Sequence, residues 1–212
     1  MNLLFELFRG GIIFEVKNVQ EAQIAERSGA VAILLHMNIS PIHPDGDQKE
    51  LHNILQEIHI PVLASFRPGH FVEAELLHEM GVWGVYADSR FEEITTSHNI
   101  LPKDLMFPLL ADIVIEDDIL PQDLKRFIPV IRGENTEEIL ENLQKKQKDD
   151  FIFVAGDIET VSDIALLRRM GADTLILPNS VFDFEKPENY LQKLVQASLY
   201  FNNTEKLANI LQ

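Results

Sequence analysis

The 212-residue chain has no cysteine, one tryptophan and three tyrosines, and its 18 basic residues face 34 acidic ones. Without cysteine there can be no disulfide, thiolate metal site or cysteine nucleophile, and nothing argues for an oxidising compartment, so a cytoplasmic setting is expected. The net charge of −16 repels nucleic acid and anionic lipid, and neither is expected as a partner. It also opposes phosphorylated substrates unless a local pocket overrides it. Long hydrophobic runs are missing too. The apolar residues 1–8 are bounded by Glu6 and Arg9 too closely for a signal peptide or a membrane span, and read as a short helix leading into the domain. No HExxH helix or EF-hand loop is found.

What is present is an ordinary globular composition, 46% hydrophobic and 25% charged. Eight short apolar runs recur, at residues 11–16, 31–35, 61–65, 85–88, 107–111, 128–131, 151–155 and 174–177, each followed by an amphipathic stretch. From the third run onward the starts are 21 to 24 residues apart. Repeated strand and crossover-helix units of that length predict a parallel sheet closed on itself: an α/β fold, a single (β/α)8 TIM barrel over residues 1–212. It is short, since such barrels often run to about 250 residues.

Helix punctuation supports the units. Asn18, Asp47, Thr136 and Thr160 are expected N-caps, and Gly29, Gly81 and Gly171 close helices before the chain re-enters a strand. Two connections are thin, residues 113–127 and 144–150. After the eighth strand come extra C-terminal helices, residues 187–201 and an apolar tail, 204–211, read as capping its own barrel in preference to docking on a neighbour.

Several segments carry a more specific pattern: Gly10-Gly11-Ile12-Ile13-Phe14-Glu15-Val16; Ile60-Pro61-Val62-Leu63-Ala64-Ser65-Phe66-Arg67-Pro68-Gly69-His70-Phe71-Val72-Glu73-Ala74; and Ser162-Asp163-Ile164-Ala165-Leu166 with Met170-Gly171-Ala172-Asp173. Over almost its whole length the chain resembles the synthase (lyase) subunit of pyridoxal 5'-phosphate synthase, the PdxS-type barrel that makes vitamin B6 from a pentose phosphate, a triose phosphate and ammonia.

The resemblance implies which positions should carry chemistry, and there the chain departs. The Schiff-base lysine ending the family's third strand is matched by Ser65, which cannot form an imine. The second lysine, after the sixth strand, is deleted or replaced by Arg132, in Ile131-Arg132-Gly133-Glu134; a guanidinium stays protonated. The first-strand aspartate is matched by Glu15, and the fourth-strand aspartate falls on Ala87 with Asp88 beside it. The phosphate loops read Gly156-Asp157 and Pro178-Asn179-Ser180, a carboxylate and a proline where backbone N–H groups should be. Arg67 and His70 are kept, as anion ligands or as capping residues. The loop after strand two is shortened, and the N-terminal helix that docks the family's glutaminase begins only at Met1, so glutaminase docking is not expected.

The mouth as read from the strand ends is Glu15, His36, Ser65, Arg67, Asp88, Asp112, Arg132, Glu134, Asp157 and Asn179. A metal on Glu15, Asp88 and Asp157 lacks motif support, and Ser65 has no His and Asp partnership legible in the sequence, so neither a metal, a cofactor nor a hydrolase triad is expected. The expectation is a catalytically inactive relative of the synthase barrel, a scaffold or regulator forming a homo-oligomer or a hetero-oligomer with an active synthase subunit. The alternatives are a barrel with a rebuilt mouth acting on a non-phosphorylated substrate through Glu15, Asp88 and Arg132, and a residual pyridoxal 5'-phosphate synthase.

Overall fold

Successive side chains on a strand point to opposite faces, so each apolar run feeds two cores at once. In the computed structural model, which describes residues 6–37, 46–90, 107–113, 127–146 and 151–212, the runs become β1 (Ile12–Val16), β2 (Ala32–Leu35), β3 (Val62–Phe66), β4 (Gly84–Ala87), β5 (Leu109–Ile113), β6 (Ile128–Gly133), β7 (Phe153–Gly156) and β8 (Thr174–Leu177). They form a closed barrel in sequence order, all parallel, with β8 returning to β1 through Ile12↔Leu175 and Phe14↔Leu177. Every strand lies within two residues of its expected bounds.

One parity faces the lumen: Ile13, Leu34, Leu63, Tyr86, Leu110, Val130, Phe153 and Ile176 belong to one buried cluster. The other parity, including Ile12, Phe14, Ile33, Ala64, Val85, Val154 and Leu175, packs in a second cluster that also takes in helix residues such as Ala22, Leu51 and Ile164. At the N-terminal end Phe8, on the 3-10 turn Glu6–Phe8, meets Trp83 and Phe153 edge-on, and its carbonyl accepts from Thr174 Oγ1 at 2.7 Å. This hydrophobic plug closes the bottom of the barrel; of the short helix expected over residues 1–8, the turn Glu6–Phe8 is described and residues 1–5 lie outside the described ones.

The helices are α1 (Val19–Arg27), α2 (Gly46–Glu57), α3 (Phe71–Glu79), α4 (Thr136–Leu143), α5 (Val161–Arg169), α6 (Pro187–Leu199) and α7 (Thr204–Leu211). Asn18 and Thr160 cap as expected, Thr160 within a reciprocal capping box with Asp163. Two expected caps are corrected. Asn135 caps α4, accepting from Glu138 N at 2.9 Å, and Thr136 becomes its first helical residue; an asparagine one position earlier satisfies the orphan N–H first. Asp47 lies inside the first turn of α2, which begins at Gly46. Gly81 and Gly171 both take φ 104° at helix ends, where a side chain would be strained. On α7, Leu207 and Ile210 are buried with the outer core while Leu211 is exposed, so the tail covers its own chain. Residues 114–126 and 147–150, the bulk of the thin connections, lie outside the described residues.

Candidate functional site at the barrel mouth

Continuing the lumen parity one step beyond the last apolar side chain of each strand names the mouth: Glu15 after Ile13, His36 after Leu34, Ser65 after Leu63, Asp88 after Tyr86, Asp112 after Leu110 and Arg132 after Val130. Strand geometry alone therefore directs these polar groups to one end of a narrow lumen. Glu15, Ser65 and Asp88 are buried, as is Tyr86 one layer below.

Buried charge must be paired, and here the partners are guanidinium groups. Arg90 donates to Glu15 through Nη1 at 3.0 Å and Nη2 at 2.7 Å, and to Asp88 through Nε at 2.9 Å and Nη2 at 2.6 Å. Its own backbone N–H also donates to Asp88, at 3.0 Å. Arg132 donates to the Tyr86 hydroxyl through Nε at 3.1 Å and Nη2 at 2.9 Å, and reaches Glu15 at 3.5 Å and Asp112 at 3.5 Å. Tyr86 in turn donates to Asp112, which also accepts from Ser89 N at 2.8 Å and Ser89 Oγ at 2.6 Å. Glu15 thus bridges both arginines, which come from the β4 and β6 ends, across the lumen.

Burial works to raise the Asp88 carboxyl, but hydrogen bonds from His36 and Arg90 and the charges of Arg90 and Arg132 outweigh it and hold the group below the usual carboxylate range. Burial lowers both arginines, and Asp88 and Glu15 for Arg90, Tyr86 and Asp112 for Arg132, bring them back above the ordinary value. Burial, then the Asp112 charge, pushes the Tyr86 phenol well up. Each of these four shifts moves a group away from neutral pH, the reverse of what a general acid or base needs.

The structure corrects the reading of Ser65. Ser65, His36 and Asp88 do come together: His36 Nδ1 lies 3.4 Å from Ser65 Oγ and 3.4 Å from Asp88 Oδ2. Both contacts use the same ring nitrogen, whereas a hydrolytic triad needs one on each. Ser65 Oγ also accepts from Met37 N at 2.9 Å, so the hydroxyl is a buried link between β2 and β3.

Other expected residues stand apart. Arg67 turns to Glu73, donating to Oε1 through Nε at 2.8 Å and through Nη2, with its own N–H on Oε2 at 3.3 Å. The His70 N–H donates to the Arg67 carbonyl at 3.0 Å, and His70 precedes α3 without a side-chain cap bond. The pair therefore belongs to the β3–α3 turn. Gly156 takes φ 149° and Asp157 is exposed, not joined to Glu15 or Asp88. Glu134 is exposed as well. Ala87, of the opposite parity, packs in the outer core. Asn179 Nδ2 donates to Glu21 Oε2 at 2.6 Å and to the Glu15 carbonyl at 3.3 Å, while Ser180 donates to Glu159. Side chains expected at a phosphate loop are thus bound to carboxylates. Among the described residues no three His, Asp or Glu side chains are grouped to hold a metal, and no helix is long and apolar enough to cross a membrane.

The SOR/SNZ family matches residues 2–106, the stretch carrying Glu15, His36, Ser65, Asp88 and Arg90. That match spans just under half of the chain, which is similar to the PdxS-type members of the family. The pyridoxal 5'-phosphate synthase subunit PdxS of Fusobacterium nucleatum is 26% identical over 96% of this chain and 90% of its own length. That of Methanopyrus kandleri is 25% identical over 96% and 85%. Among solved structures, 3-hexulose-6-phosphate synthase from Salmonella typhimurium superposes with a TM-score of 0.62 at 19% identity, covering 90% of this chain and 99% of that one. Thiamine phosphate pyrophosphorylase from Pyrococcus furiosus gives 0.63 at 13%, covering 93% and 98%. At such identities these structures speak for the TIM-barrel fold alone, which this chain shares.

Proposed function

We propose that this chain is a non-synthesising relative of the pyridoxal 5'-phosphate synthase barrel, kept in the cytoplasm as a scaffold or regulator that assembles with itself or with an active synthase subunit. One observation carries the reading: at the ends of β3 and β6, where the resemblance calls for imine-forming lysines, the chain has a buried serine and an arginine whose guanidinium is already committed to Tyr86, Asp112 and Glu15. A guanidinium is no nucleophilic amine at neutral pH. In the second phosphate loop the side chains of Asn179 and Ser180, bound to Glu21 and Glu159, point the same way.

Incubating the protein with ribose 5-phosphate, reducing with borohydride and measuring the intact mass tests it. The expected spectrum shows no stoichiometric adduct; an adduct mapped to a mouth lysine overturns the reading. Assembly is tested by native mass spectrometry and light scattering, alone and mixed with an active synthase subunit. A chain that stays monomeric in both settings removes the scaffold role and leaves a barrel with a rebuilt mouth, working through Glu15, Asp88 and Arg132, as the reading to pursue.

A further inference from the structure

We propose that Glu15 and Asp88 at the mouth of this barrel form a clamp for an alkylguanidinium, and that Arg90 of the chain itself is its resident occupant. Glu15 and Asp88 sit on β1 and β4, strands that are not neighbours in the barrel, so their carboxylates approach only across the lumen. Their side chains are 8% and 0% exposed, against 38% for Arg90. The guanidinium is therefore a group inserted between two walls from the rim. Arg90 lies beyond the end of β4, and its side chain turns back over the lumen from there.

The fit is specific to a planar fork. Nη1 and Nη2 face the two oxygens of Glu15 at 3.0 and 2.7 Å, and Nε and Nη2 face the two oxygens of Asp88 at 2.9 and 2.6 Å. Paired N–H donors against paired carboxylate oxygens are the geometry that separates guanidinium recognition from the binding of a spherical ion. Removing the Arg90 side chain leaves two desolvated carboxylates whose partners among the described residues are Arg132, His36 and the backbone N–H of residue 90, and a vacancy of guanidinium shape. The proposal does not rest on the scaffold reading, because a barrel that forms no imine can hold a cation equally well.

The experiment uses the full-length Arg90→Ala protein and methylguanidinium chloride at millimolar concentration, with sodium chloride and tetramethylammonium chloride at equal ionic strength as controls. The thermal midpoint of Arg90→Ala is expected to rise saturably with methylguanidinium, by about 3 °C or more at saturation, and not with either control. The wild type, its pocket filled, is expected to show no such rise, and Glu15→Gln added to Arg90→Ala is expected to abolish it. If Arg90→Ala is recovered only unfolded, its refolding yield with methylguanidinium against sodium reads the same pocket, and Arg90→Gln supplies a second variant for the melting series. Equal responses to methylguanidinium and to the control salts, in midpoint or in refolding yield, overturn the proposal.

Discussion

Replacing Glu15 by alanine should destabilise the barrel measurably, because among the described residues Glu15 is the carboxylate that contacts both mouth arginines. Its carboxylate is 8% exposed, pairs with Arg90 through two bonds at 2.7 and 3.0 Å, and reaches Arg132 at 3.5 Å. Breaking a buried ion pair from one side costs about 3–5 kcal/mol, since the partner is left charged and desolvated. Arg90 is 38% exposed, so water takes over part of that loss and the expected cost falls to about 2–3 kcal/mol. For a chain of this size each ~1 kcal/mol moves the thermal midpoint by about 2–4 °C, which gives a drop of about 4–12 °C. Differential scanning calorimetry and urea titration, with Glu15→Gln beside Glu15→Ala, would measure it. Glutamine keeps the volume and one acceptor oxygen, and its loss should be nearer about 1 kcal/mol. A Glu15→Ala midpoint within about 1 °C of wild type would show that the cross-lumen network does not hold the strands.

Three further outcomes are expected. The Asp88 carboxyl is held below its ordinary value in the folded state, so its stabilising contribution is complete above the unfolded pKa of about 3.9 and is lost as pH falls below it; urea stability of Asp88→Asn measured from pH 6 to pH 3 should fall less steeply than that of wild type, and parallel slopes would contradict the assignment. At the opposite end of the barrel Asp173 accepts from Arg9 Nη1 at 2.7 Å, Lys146 Nζ at 2.6 Å and Ile152 N at 2.9 Å, and Asp173→Ala should lose about 3 kcal/mol in urea titration, a loss under about 1 kcal/mol refuting the hub. Truncation before Thr204 uncovers the surface under Leu207 and Ile210, each 9% exposed, and should lose about 3 kcal/mol, whereas Leu211→Ser, at an exposed position, should change little; equal effects would mean that α7 does not pack as described.

How much of this was legible follows from where each residue stands relative to its strand. Glu15, His36, Ser65, Asp88, Asp112 and Arg132 all occupy lumen-parity positions one step past an apolar strand interior, so period-two alternation is enough to bring them together. Tyr86 follows the same parity and was legible in principle, but an aromatic inside an apolar strand reads as core until its hydroxyl is seen on Asp112 and Arg132. Arg90 carried no such signal. It lies past the strand, where alternation no longer sets direction, and only the turn through Asp88 and Ser89 returns its side chain to the lumen. The same loss of periodicity explains why Arg67 and Asp157, read into the ring from their places at strand ends, fall outside it: Arg67 bends to Glu73 at the start of α3, and the φ of 149° at Gly156 redirects the chain before Asp157.

The distribution of charge between the two ends bears on what such a mouth can do. At the N-terminal end Arg9, Lys146 and Asp173 neutralise one another around backbone groups, as expected where a barrel spends its polar residues on stability. The C-terminal end, which in this fold ordinarily carries reactive groups at some cost to stability, is here organised the same way: Arg90 and Arg132 close Glu15, Asp88 and Asp112 into one network. If that network is stabilising, a variant that opens the mouth loses stability, and any ligand that enters must offer the carboxylates what Arg90 offers them. The proposed guanidinium clamp therefore makes one demand on the molecule: its capacity to bind at the mouth and its thermal stability should move in opposite directions as Arg90 is shortened.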